Sequence, residues 1–164
     1  MNTKNSFTTH TLANGLRLVI EHMPQVRSAA GGFLVRTGSR DEPSELAGVS
    51  HFLEHMCFKG TANRTCREIT LGFDRLGSTY NAYTSKERTL YYGWVRVENF
   101  AAQLELLADM MCSTIPPEEF ETEKQVILDE IARSADQIEH LVLSLIHISE
   151  PTRLLSISYA VFCL

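Results

Sequence analysis

Along this chain the apolar and polar positions switch repeatedly between the two-residue period of a strand and the 3.6-residue period of a helix, and each switch marks an element. Runs of strand-forming residues at 7–12 and 16–21 flank Asn14-Gly15, a strong short turn signal, and predict a hairpin. Residues 29–35 are small and apolar and predict a third, buried strand. Glycine, serine, aspartate and proline follow one another through 37–43, which predicts a loop. A helix is expected from 44 or 45 to 59. A second, at 65–76, carries the stripe Ile69, Phe73, Leu76, with Gly77 placed to end it. Residues 78–84 and 89–97 read as strands, the latter holding the only tryptophan. Helices are expected again at 98–113 and from 117 to about 133. Strands, helices, strands, helices in that order predict an α+β fold: a mixed or antiparallel sheet with helices packed on one face.

Composition narrows the class without naming a function. The 164 residues suffice for one domain with a real core and are too few for two sizeable ones. The net charge is -5 and no basic stripe is visible, so nucleic acid is not an expected partner. No apolar run reaches the roughly 20 residues of a membrane span. The polar start, Met1-Asn2-Thr3-Lys4-Asn5-Ser6, lacks the apolar core of a signal peptide. The four cysteines (Cys57, Cys66, Cys112, Cys163) show no paired spacing and are read as reduced thiols, so a cytoplasmic location is expected.

The chemistry is concentrated in His51-Phe52-Leu53-Glu54-His55. Histidines at i and i+4 lie on one helix face, so both imidazoles can reach one zinc ion. Glu54, three residues after His51, projects to the same side, within reach of a water on that metal. The order inverts the better-known metalloprotease helix motif. A catalytic zinc takes three protein ligands and keeps a position for water, so a third ligand is required. The candidates are Glu123 and Glu130, seven residues apart and so on one face of the helix that opens at Pro116-Pro117-Glu118-Glu119. Val126 and Ile127 fall near that face, which is expected to turn inward. Carboxylates facing a core are costly unless something positive meets them, and a metal would do so. Cys57, two residues past His55, lies about 200° around the helix and is read as filler rather than ligand. His10, His22 and His140 have no partner at metal spacing, and the Tyr91-Tyr92 and Trp94 cluster is read as sheet packing.

With these residues and Asn81-Ala82-Tyr83-Thr84 in view, the chain resembles the M16 (pitrilysin-like) zinc peptidases, of the processing-peptidase β type. The matching blocks are residues 11–16, 38–40, 48–61, 81–87, 89–92 and 123–131. The resemblance implies a metallohydrolase half of the kind shared with S-ribosylhomocysteine lyase. It also implies one zinc ion held by His51, His55 and Glu130, Glu54 as the base, and Glu123 as an acid supporting the site from behind. Residues 81–85 would be the edge strand on which a peptide lies, with Asn81, Ala82, Tyr83 and Thr84 as its binding residues. The expected reaction is hydrolysis of peptide bonds in extended peptides or presequences. Both histidines must be neutral to ligate, so activity is expected to fall at acid pH.

Relatives of this type close two similar halves or subunits around the peptide, so a second M16-like half is the expected partner. On this reading residues 1–142 are a truncated N-terminal catalytic domain. From 144 to 164 only Glu150 and Arg153 are charged, and the run from Leu145 to Arg153 resembles translated adapter read-through, so 143–164 is read as a non-native tail. Two other classes remain open. One is a non-catalytic homologue acting as scaffold or partner subunit, although His51, Glu54, His55 and Glu130 are all present. The other is an S-ribosylhomocysteine lyase-like metalloenzyme, which needs a cysteine ligand where this chain offers glutamates.

Overall fold

The computed structural model describes residues 6–135. His140, His147, Cys163 and the tail expected at 143–164 lie outside the described residues. Strands β1 (Ser6–Thr11) and β2 (Arg17–His22) form an antiparallel hairpin in the register Thr11↔Arg17. Its loop closes with Leu12 N–H on the Leu16 carbonyl at 2.9 Å, while the Asn14 side chain accepts from Leu16 N–H and Gly15 takes φ 86°. The turn is therefore one residue longer than Asn14-Gly15 alone, a three-residue loop with glycine in the left-handed position.

Strands β3 (Ser28–Val35), β4 (Thr79–Thr84) and β5 (Thr89–Arg96) form an antiparallel sheet in the order β3-β5-β4, so β4 is an edge. Alternation sends Phe33, Tyr91, Val95, Tyr80 and Ala82 to one face, where the helices lie. Helix α2 (Cys66–Leu76) and helix α3 (Phe100–Met110) supply Ile69, Phe73, Leu106, Leu107 and Met110 to the core. Thr65 and Glu68 cap α2 reciprocally, and Gly77 ends it. The α+β architecture expected from the sequence is the one observed, with the sheet wholly antiparallel. Among the described residues no helix is long and apolar enough to cross a membrane.

The expected helix from 44 to 59 is broken. Residues Ser44–Leu46 form one 3-10 turn, and helix α1 runs only over Val49–Met56. Gly48 between them has φ 96°, which a side chain would resist. The cap comes from outside the helix: Glu42 accepts from Gly48 N–H at 2.7 Å and from Ser50 N–H at 2.8 Å. Those bonds, from Gly48 first, hold the Glu42 carboxyl below its ordinary range. At the other end the Ser113 hydroxyl lies 2.9 Å from the Met56 carbonyl and 3.0 Å from the Gly60 carbonyl, its one proton shared between them. Helix α4 (Pro117–Ala135) packs along α1, burying Glu123 and Ile127; Val126, expected inward, is exposed because it falls to the side of that stripe.

A polar clasp ties the loop between α1 and α2 to α3. Asp109 accepts from Thr61 Oγ1 at 2.8 Å, Asn63 Nδ2 at 2.7 Å and Arg64 Nη1 at 2.6 Å. Burial works to raise the Asp109 carboxyl, but the bonds from Asn63, Arg64 and Thr61 outweigh it and lower it. Asp109→Ala should cost about 2 kcal/mol in a urea titration at neutral pH. The folded carboxyl titrates below the unfolded one, so this stability is present above the unfolded pKa and is lost as pH falls through the folded value. An unchanged midpoint at neutral pH would show that the clasp contributes nothing.

Candidate metal centre

Two helices build the centre. Within α1 the four-residue spacing sets His51 beside His55, with ring centroids 4.7 Å apart, planes at 89° and Nε2 atoms 3.1 Å apart. Phe52 meets Phe120 of α4 at a centroid distance of 4.7 Å. That contact lies beside the acidic face of α4, and Glu130 Oε2 comes to 3.6 Å from His55 Nε2 and 3.8 Å from His51 Nε2. Ligand atoms about 2.0–2.2 Å from a tetrahedral centre stand about 3.3–3.6 Å apart, close to the spacing of these three. Two imidazole nitrogens and a carboxylate oxygen are also a donor set that zinc accepts. His51, His55 and Glu130 therefore fit a zinc ion by both spacing and chemistry, and they are the one such group among the described residues.

Glu123 stands behind His55. It is 3% exposed, and its Oε1 lies 2.7 Å from His55 Nδ1 while Oε2 pairs with the Lys59 ammonium. With Nδ1–H donating to the carboxylate, the Nε2 lone pair of His55 is left for the shared centre. Burial works to raise the Glu123 carboxyl, but Lys59 and His55 outweigh it and hold it below the usual carboxylate range.

Glu54, 8% exposed, faces the sheet side of α1 and accepts from Thr84 Oγ1 of β4 at 2.5 Å. Along β4 the four residues read from the sequence as a peptide site divide by alternation. Asn81 and Tyr83 are exposed, Ala82 is buried and Thr84 is half-buried towards the helices. The Asn81 side chain accepts from Ala82 N–H at 2.9 Å. Cys57 lies apart from the histidines, beside Tyr91, in the wall of an apolar cavity of about 270 Å³ that Val35, Leu53, Met56 and Ile115 also line. Burial pushes its thiol up.

Three participants were not read from the sequence: Lys59, the contact between Thr84 and Glu54, and Glu42 as the cap of α1. Lys59 carried a signal, since it lies four residues beyond His55 in the helix expected to reach 59; it stands in the turn that follows α1, paired with the buried acid. The other two depend on chain reversals that periodicity does not encode.

A family model described as insulinase, peptidase family M16, matches residues 17–153. An uncharacterized zinc protease of Bacillus subtilis is 46% identical over 138 residues, covering 84% of this chain and 34% of that protein. One from Rickettsia felis is 46% identical over 140 residues, covering 85% and 34%. The crystal structure of a protease from Helicobacter pylori aligns with a TM-score of 0.73 at 33% identity, over 77% of this chain and 31% of that one. That of an M16 peptidase inactive domain from Pseudomonas fluorescens aligns with a TM-score of 0.76 at 18% identity, over 87% and 35%, and bears on the fold alone. The chain thus spans about a third of the length of the curated relatives it matches.

Glu123→Gln keeps the shape behind His55 but removes the charge that fixes its ring. Zinc affinity, measured by chelator competition, should fall about 10–100-fold. Equal affinity would mean that Glu123 does not support the ligand.

Proposed function

The chain belongs to peptidase family M16, and from that premise we propose that it carries the catalytic centre of a zinc-dependent endopeptidase acting on extended peptides. The observation that carries this reading is the triangle of His51 Nε2, His55 Nε2 and Glu130 Oε2 with the Glu54 carboxylate on the same helix. Those three residues would hold the ion. Bound there, zinc supplies Lewis acidity, which makes water easier to deprotonate and a carbonyl easier to attack.

Glu54 is the general base. It takes the proton of the attacking water and passes it to the leaving amine; its hydrogen bond to Thr84 sets it beside β4, the strand that would receive the peptide. Glu123 orients His55, and Lys59 keeps Glu123 charged. The outer edge of β4 offers main-chain groups to an extended peptide whatever its sequence: those of Ala82 and Thr84 face away from β5, with the Ala82 N–H held by the Asn81 side chain, while the Asn81 and Tyr83 backbone pairs with β5. Specificity then follows from an unfolded, extended substrate and from a second M16-like half closing over the site. A purely scaffolding role is the weaker reading, because nothing in that role requires the complete donor set with its base.

Glu54→Gln in the full-length protein should retain zinc and lower turnover of a quenched-fluorescence peptide by about 10²–10⁴-fold. Turnover at the wild-type rate would remove Glu54 from this role and, with it, the mechanism.

A further inference from the structure

Thr84 was read from the sequence as part of the peptide site, yet its side chain does not point to the outer face of the sheet. It lies on the helix side of β4 and donates to Glu54 Oε2 at 2.5 Å. Thr84 is the last residue of its strand and pairs directly with Thr89, the first of β5. Thr89 is 5% exposed; its hydroxyl donates to the Thr37 carbonyl at 3.0 Å and its oxygen stands 3.4 Å from Thr84 Oγ1. The turn joining the strands is closed by Ser85 N–H on the Arg88 carbonyl at 2.8 Å. It is pinned from outside by Ser39 N–H on the Ser85 carbonyl at 3.1 Å and Arg40 N–H on the Lys86 carbonyl at 2.9 Å. Gly38 lets that loop approach so closely, since a Cβ there would collide with the Ser85 carbonyl and the Lys86 and Arg88 backbone. The hydroxyl facing Glu54 therefore sits on a stiff β-branched side chain at a firmly held end of the edge strand.

Resting on the peptidase reading of Glu54, we infer that Thr84 is a positioning residue for that carboxylate rather than a substrate contact. One carboxylate oxygen is tied to the Thr84 hydroxyl, which fixes the rotamer and leaves the other oxygen to face the reacting water. A base that must take and return one proton gains from this, because a carboxylate free to rotate loses the alignment that proton transfer needs. The same strand then does two jobs: its backbone edge receives the peptide, and its last side chain aims the base at it.

Two measurements test this. In the metal-free 164-residue chain labelled with ¹³C at the glutamate carboxyls, the Glu54 signal is identified by its loss in Glu54→Gln. It should shift in Thr84→Val and return in Thr84→Ser; a signal indifferent to Thr84→Val overturns the inference without touching the peptidase reading. In the full-length protein Thr84→Val should lower kcat about 10-fold or more with KM and zinc affinity unchanged, and Thr84→Ser should restore it. The loss should vanish in a Glu54→Gln background, where there is no base left to aim. A raised KM at unchanged kcat would make Thr84 a substrate contact, and weakened zinc binding would make it structural support; either overturns the proposal. If Glu54→Gln itself leaves turnover intact, the peptidase reading fails and this inference falls with it.

Discussion

The site depends on one packing contact, that of α4 against α1. Each helix alone carries only half a centre: two histidines at one-turn spacing on α1, two acids at two-turn spacing on α4. Phe52 against Phe120 brings the two stripes together, and Glu130 then reaches the Nε2 atoms while Glu123 reaches the far nitrogen of His55. A slip of α4 by one residue would turn both carboxylates about 100° away from the histidines. The charges reinforce the contact. Glu123 is buried, and a buried carboxylate is tolerated only where cations or donors meet it, which Lys59 and His55 do.

Because α1 is only eight residues long, its ends need support from elsewhere. Glu42 caps its start across the Gly48 break, and Ser113 takes up the Met56 carbonyl at its end. The Asp109 clasp then fixes the following loop to α3, and α3 is rooted in the core with α2. The hydrophobic core thus lies to one side of the candidate metal centre and is tied to it by these polar contacts and by Phe58, which follows α1 and packs against the core. This arrangement leaves Glu130 exposed and His51 and His55 partly exposed, open to a ligand, with Glu123 buried behind them.

Much of this was legible in the residues. The His51, Glu54, His55 spacing needs only the geometry of a helix, and the seven-residue interval of Glu123 and Glu130 needs no more. The stripe of Ile69, Phe73 and Leu76 and the glycine after it marked α2 and its end correctly. The long helix expected from 44 to 59 is broken because the apolar spacing runs on through Gly48, while Gly48 takes φ 96° and Glu42 caps a shorter helix that starts after it. Thr84 shares a sequence block with Asn81, Ala82 and Tyr83, but strand alternation separates its side chain from those of Asn81 and Tyr83. Its partner could not be read, since that depends on where α1 crosses the end of β4, a matter of tertiary packing. The spacing of Lys59 is a weak signal, because a lysine at a helix end is usually a solvated charge.

The central claim is that residues from two helices form one metal site. Zinc content after purification, by elemental analysis of the wild-type chain beside His51→Ala and Glu130→Gln, tests it most directly. The account predicts one zinc per chain in the wild type, lost or much weakened in both variants. Equal zinc in the Glu130→Gln variant, or none in a folded wild-type chain, would contradict it.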